Sequence, residues 1–345
     1  MKILLIGNFA PPYEEENLHN FSMLRKLEEE GHSCSVINIS ENPSKDKRFV
    51  DGTNMFDFTL KLVRFCRGKD VVHFFTKGYL RLGLLKLMVA VVVGTFFRTK
   101  TCITIHSELF SMHGQMRSPV GGRQTLFTAF TLATRIICAD KDTFDVAAMY
   151  MKKSNFELIP SFVYTPENLS ETKSTELKKL ESKKKVIVFS GLQYPSFIFE
   201  ILKEALLNYP LPSETGIVIS VSEKPSLKLQ HVLQDTGKAI ADNLIFIDAD
   251  DIKATLMAYS RADLIVRPPS CEGKTFFKSF AVSVKKTFHT EDYVYFPSGL
   301  FFIKEGDTAE MCVSILNTML RVEPGKAAKE TMEDSYSRIT SLYQE

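Results

Sequence analysis

Four stretches of the chain put polar or ionisable residues directly after a short apolar, β-branched run, so each would carry reactive groups at the end of a strand. The first, Gly7-Asn8-Phe9-Ala10-Pro11-Pro12-Tyr13, has one glycine and two prolines where a dinucleotide fold would need GxGxxG, which disfavours an NAD or FAD site. The second and third, Asp70-Val71-Val72-His73 and Thr101-Cys102-Ile103-Thr104-Ile105-His106-Ser107-Glu108, both lead to histidine, the side chain suited to proton transfer near neutral pH. A lone histidine at such a place serves packing as readily as chemistry. His106 is the better candidate, because it follows five strand-forming residues and precedes a polar turn that would open its imidazole on a cleft. The fourth stretch runs from Leu264 through Arg267-Pro268-Pro269-Ser270-Cys271-Glu272-Gly273-Lys274-Thr275 into a helical pattern over Phe276 to Val284. Free amides at a helix start behind Gly273, with Lys274 beside them, would hold a diphosphate, and Glu272 could accept hydrogen bonds from sugar hydroxyls. An ordinary helix start whose dipole favours Glu272 explains the same residues, and the sequence leaves both readings open.

The elements that must position these groups alternate. Strands are expected at Lys2 to Ile6, Ser35 to Ile39, Val71 to Phe75, Thr101 to Ile105, Arg135 to Ala139 and Phe156 to Ile159. After a polar stretch they resume at Val186 to Ser190, Ile217 to Val221, Leu244 to Ile247, Leu264 to Arg267 and Gly299 to Ile303. Helical patterns lie between, including Leu18 to Glu30, Leu82 to Phe97, Phe197 to Leu207 and Asp251 to Ala262, with further ones over Met311 to Leu320 and Ser335 to Tyr343. Short apolar strands alternating with helices argue for an α/β chain with doubly wound parallel sheets. Residues 166–185, PENLSETKSTELKKLESKKK, offer almost nothing to bury and read as a charged linker. That divides the chain into an N-terminal domain (1–165), a C-terminal domain (186–325) and a last segment (326–345) whose helix would cross back onto the first.

The 345 residues, 44% hydrophobic and 24% charged, exclude a disordered chain or a small disulfide-stapled one. A formal charge of +2 gives no global field to attract nucleic acid. The six cysteines, at 34, 66, 102, 138, 271 and 312, have no closely spaced pair and read as buried thiols of a reducing compartment, with no metal expected. The start, MKILLIGNF, is too short an apolar stretch for a signal peptide, and Leu82 to Phe97 is shorter than the roughly 20 residues a spanning helix needs, so a cytoplasmic location is expected. Residues 1–165 carry 21 basic and 16 acidic groups, the rest 22 and 25. Arg81, Lys86, Arg98 and Lys100 flank the Leu82 to Phe97 helix, which would suit peripheral contact with an anionic membrane; a core helix with solvated ends is the reading composition favours. The absence of tryptophan disfavours a simple carbohydrate-binding module.

Taken in order, MKILLIGNFAPPY with LRKLEEEGHSCSVI, DVVHF, TCITIHSE, RIICAD with FELIPSFV, IVFSGL, NLIFIDADD, AYSRADLIVRPPSCEGKTFFKSFAV and YFPSGLFFIKEGD resemble the family 4 retaining glycosyltransferases of GT-B fold. The resemblance covers nearly every strand edge from Met1 to Asp307. It implies two Rossmann-like domains facing across a cleft, a nucleotide-sugar donor held mainly by the second domain, and a glycan or lipid-linked acceptor at the first. It further implies transfer with retention of configuration and without a cofactor or bound metal. His106 stands where such enzymes contact the donor sugar, and Glu272 opens their E-x7-E motif. Gly273, Lys274, Thr275, Lys278, Arg267 and Gly191 would lie on the donor side, and Asn8, Tyr13, His73 and Glu108 on the acceptor side.

The chain departs from that family at three donor contacts. Phe280 replaces the second glutamate of the motif, Gly191-Leu192-Gln193-Tyr194-Pro195-Ser196-Phe197 lacks the usual basic pair, and Pro11-Pro12-Tyr13-Glu14-Glu15-Glu16 replaces the glycine-rich turn. A buried diphosphate without a cation is costly, so either Lys274, Lys278 or Arg267 supplies it or the site no longer binds a nucleotide-sugar in the usual way. Two alternatives therefore stand beside the transferase: a catalytically inactive GT-B subunit that serves as partner of an active transferase, and a nucleotide-sugar epimerase using His106, Glu108, His113 and Glu272.

Overall fold

The apolar runs form strands, as their residue types dictate, and nearly all of them pair in parallel. The computed structural model describes residues 1–9, 15–40, 47–76, 81–106, 122–139, 141–150, 155–164, 177–192, 214–221, 243–248, 250–262, 264–267, 279–284, 293–295, 300–304 and 332–345. The elements in chain order are β1 (Lys2–Gly7), α1 (Glu15–Glu29), β2 (Ser33–Asn38), β3 (Phe49–Asp51), α2 (Met55–Cys66), β4 (Val71–Thr76), α3 (Arg81–Phe96), β5 (Lys100–Ile105), α4 (Gly122–Leu132), β6 (Arg135–Cys138), α5 (Lys141–Tyr150), β7 (Phe156–Leu158) and β8 (Phe162–Tyr164). They continue with β9 (Lys185–Leu192), β10 (Thr215–Val221), β11 (Leu244–Asp248), α6 (Ile252–Arg261), β12 (Leu264–Arg267), β13 (Ser279–Val284), β14 (Tyr293–Tyr295), β15 (Leu300–Lys304) and α7 (Met332–Gln344). The described residues form two compact units: the first takes those up to Tyr164 together with those after Glu330, and the second takes those between Thr165 and Lys329.

The first unit is a seven-stranded sheet in the order β3-β2-β1-β4-β5-β6-β7, parallel throughout. Strand order reverses between β1 and β4, which makes their carboxyl ends the place where an open α/β sheet binds ligands. One face is aliphatic: Leu4, Ile6, Val72, Phe74, Ile103 and Ile105 pack with Phe58 and Leu62 of α2, Leu87 of α3 and Phe130 of α4. The alternate strand residues, among them His73 and Phe75, meet α1 and α7 on the opposite face. Local signals start and stop the helices. The Asn54 Oδ1 accepts from the Phe56 amide at 2.9 Å to cap α2. Gly31, at φ +79°, ends α1 with its N–H donating to the Glu28 carbonyl at 3.0 Å and the His32 N–H to that of Leu27 at 3.0 Å.

The second unit has the strand order β11-β10-β9-β12-β13-β15. Its first four strands are parallel and reverse order between β9 and β12, repeating the plan of the first unit. Two expectations change here. Residues 279–284, read as helix, are β13, antiparallel to β12 and to β15. Ser279-Phe280-Ala281-Val282-Ser283-Val284 alternates small and large residues with period two, which fits a strand rather than a helix. Within the expected linker, Leu177–Ser182 form a short 3-10 helix that buries Leu177 and Leu180, leucines three apart that share one side of such a helix. The patterns at 197–207 and 311–320 lie outside the described residues.

Helix α3 matches its expected extent, and no described helix is long and apolar enough to cross a membrane. Its flanking cations differ from expectation. Lys86 is buried over the Phe58 ring, its Nζ donating to the Thr53 carbonyl at 2.8 Å, and burial lowers its pKa. The Lys100 Nζ donates to the Tyr343 and Gln344 carbonyls at 3.0 and 2.9 Å. Both lysines close polar groups inside the unit. Cys66, Cys102 and Cys138 are buried free thiols and Cys34 is half-buried; burial pushes Cys102 up to about 12.

Candidate functional site

The carboxyl ends of β1, β4 and β5 gather the first unit's polar groups. Gly7 ends β1, and a side chain there would come within 3.0 Å of Asn20 Nδ2 and of the Phe75 Cβ, so glycine lets α1 press Asn20 against the strand. Asn20, fully buried, donates from Nδ2 to the Asn8 carbonyl at 3.1 Å. Its Oδ1 therefore faces His106 Nε2, at 3.3 Å, and accepts a hydrogen bond from it. That leaves His106 Nδ1 as the acceptor for the Ser161 hydroxyl at 3.1 Å. The His106 backbone N–H continues the sheet by donating to the Thr76 carbonyl at 2.9 Å. His106 thus stands just past β5 as expected, but its ring is 5% exposed and held in one tautomer from both sides rather than opened to solvent. Burying a polar ring requires such partners, and the turn composition alone did not reveal that Ser161 and Asn20 supply them.

Two more histidines lie beside it. His19, from α1, packs edge-on against His106 with ring centroids 5.1 Å apart and against Phe162 at 4.7 Å. Its Nδ1 is 3.1 Å from both the amide nitrogen and the carbonyl oxygen of Phe162, and its buried Nε2 has no hydrogen-bond partner among the described residues. Burial pushes His19 down to about 4. His73 stands in mid-strand on β4, not at its carboxyl end, because β4 runs on to Thr76. It is fully buried, stacked on Phe75 at 4.1 Å, with Nε2 2.7 Å from the Thr104 hydroxyl and Nδ1 bonded to the Tyr343 hydroxyl of α7. Burial, reinforced by His19, pushes it down to about 3. His73 is therefore a buried, neutral residue that ties α7 to the sheet. Sequence reading passed over His19, Asn20, Ser161 and Tyr343, which lie in helical or loop patterns with no strand-end signal.

In the second unit, Gly191 near the end of β9 and Arg267 at the end of β12 fall on neighbouring parallel strands at the order reversal, joined by the Val266 to Phe189 register. Phe280 sits in β13 opposite Ile303, one residue before Ala281, the partner of Arg267. Because 279–284 is strand, the helix expected to aim its amides at a diphosphate is not built from those residues. Tyr13, Glu108, His113, Glu272, Gly273, Lys274, Thr275 and Lys278 lie outside the described residues. Among the described residues no cluster of histidine, cysteine, aspartate and glutamate could hold a metal ion.

No protein-family model matches the chain, and no curated protein matches it in sequence. Among solved structures, the crystal structure of HepE from Anabaena in complex with UDP-glucose aligns over 100% of this chain and 97% of that one, with a TM-score of 0.51 and 13% identity. The fold is GT-B. MnaA from S. aureus with UDP matches at TM-score 0.47 and 13% identity over 78% and 74% of the two chains. WaaG, a glycosyltransferase involved in lipopolysaccharide biosynthesis, matches at 0.46 and 14% over 79% and 76%.

Proposed function

We propose that the protein is a glycosyltransferase that moves a sugar from a nucleotide-sugar to a glycan or lipid-linked acceptor, with retention of configuration and no metal. The observation that carries this is the full-length likeness to a GT-B protein solved with UDP-glucose, together with two sheets with order reversals, one with Gly191 and Arg267 on its two strands and the other with His106 one strand beyond it, past β5. In this reading His106, fixed as the Nε2–H tautomer, serves the donor sugar. Arg267, with Lys274 or Lys278, neutralises the leaving diphosphate, and Glu272 holds sugar hydroxyls.

The test is thermal melting with UDP, GDP and several nucleotide-sugars, followed by a transfer assay with the nucleotide that raises the midpoint. His106→Ala is expected to lower transfer by about a hundredfold; unchanged turnover in a folded variant overturns its role. A second reading, an inactive GT-B subunit that partners an active transferase, is favoured by one observation: Phe280 and an antiparallel strand occupy the place of the second motif glutamate and its helix. It predicts no shift with any nucleotide.

A further inference from the structure

The exposed large hydrophobic side chains among the described residues are not scattered: every one except Leu158 lies on α2, α3, α4 or α5. On α2, Phe56, Leu60 and Val63 repeat at helical spacing, and Phe56 is 75% exposed. On α3, Leu82, Leu85, Val92 and Phe96 continue one stripe along 16 residues, and Phe96 is 79% exposed. Phe127 carries the surface onto α4. These three helices lie side by side on the aliphatic face of the first sheet: their inward residues form one core cluster, which leaves the outward stripes together on one surface. Neighbouring helix axes lie about 8–10 Å apart, and a 16-residue helix is roughly 24 Å long, so the surface covers several hundred Å². A contiguous apolar surface of that size on a soluble unit marks an interaction site.

Its charges select the occupant. Neither α3 nor α4 contains an acidic residue, and the single acid of α2, Asp57, is paired with Lys61 at 2.5 Å. Arg64, Arg67 and Arg98 are exposed around the stripes, at the end of α2 and just past α3. A second copy of this chain would bring the same cations and, on these helices, no acid but the paired Asp57 to the contact, placing like charge against like. An apolar plane with exposed arginines at the carboxyl ends of its helices matches a surface with acyl chains beneath anionic headgroups.

We propose that the outer face of α2, α3 and α4 docks the protein on an anionic lipid bilayer, with Phe56, Leu60 and Phe96 entering the interface and Arg64, Arg67 and Arg98 meeting the headgroups. The inference does not depend on the transferase reading. The lysines that sequence reading placed at such a surface, Lys86 and Lys100, take no part, since both are engaged inside the unit.

The experiment is flotation of the full-length protein with vesicles of phosphatidylcholine alone and of phosphatidylcholine mixed with phosphatidylglycerol. Light scattering in parallel reports the oligomeric state. Binding to the mixed vesicles, weakened by salt and weak or absent on phosphatidylcholine, is the expected result. Arg64→Gln with Arg67→Gln should weaken it about fivefold per charge removed. Phe56→Ser with Phe96→Ser should weaken it at least about tenfold, with an unchanged melting midpoint because both side chains are mostly exposed. Failure of the wild-type protein to bind mixed vesicles overturns the proposal. So does a stable oligomer that the phenylalanine variant dissociates without affecting flotation. Nucleotide-dependent melting, read on the same variants, keeps this outcome separate from that of the transferase proposal.

Discussion

The two faces of the first unit's sheet are built from the same strands and solve burial in opposite ways. Under α2, α3 and α4 the strands present Leu4, Ile6, Val72, Phe74 and Ile103 to an aliphatic core that needs no partner beyond close packing. Under α1 and α7 the same strands present His73 and Thr104, joined nearby by His19, Asn20 and His106, groups that require hydrogen bonds to be buried at all. The first face gains stability from area alone. The second obtains specific geometry, at the risk that each lost partner leaves a polar group stranded in a dry interior.

Substitutions can break that contrast. Phe130→Ala, on the aliphatic face, should destabilise by about 3–5 kcal/mol, measured by urea unfolding, since Phe130 is fully buried and leaves a cavity among α4 and the sheet. Tyr343→Phe removes only a hydroxyl but strands His73 Nδ1, and should cost about 1–3 kcal/mol. A loss on the scale of Phe130→Ala would show that the polar face is the more brittle of the two. The pH dependence sharpens the comparison further. His19 and His73 have folded pKa values of about 4 and about 3, below the ordinary value of 6.5, so the unfolded chain binds more protons than the folded one. Their contribution is fully present above pH 6.5 and is lost as pH falls toward 4 and then 3, with a slope approaching about two protons per molecule. Unfolding free energies flat across that window would contradict the neutral, buried state of both rings. Phe96→Ser, on the outer surface of α3, should change stability by no more than about 0.5 kcal/mol.

The parallel strands were legible because each is a short β-branched run that must be covered on both sides, and β1, β4, β5 and β12 fall within a residue or so of where the sequence places them. β3 and β8, three residues each, are too short to show a period, and the alternation of β13 is hidden within residues 276–284, which read as one helical run behind Gly273. The position of His106 was legible from the strand before it. Its environment was not, because its partners Asn20 and Ser161 are 86 and 55 residues away, and no local pattern encodes a contact at that range. His73 shows the same limit: one polar residue in the apolar Val71 to Phe75 run reads as a reactive group, when a hydroxyl 270 positions later satisfies it inside the strand.

That last contact bears on how the protein is made. Helix α7 belongs to the first unit yet follows the second in the chain, so a ribosome releases it only after every residue of the second unit has been synthesised. Until then the nascent first unit has Phe75 and His73 without Tyr343, a partly open apolar and polar face of the kind chaperones hold. The second unit is, in folding terms, an insertion that the first must wait for.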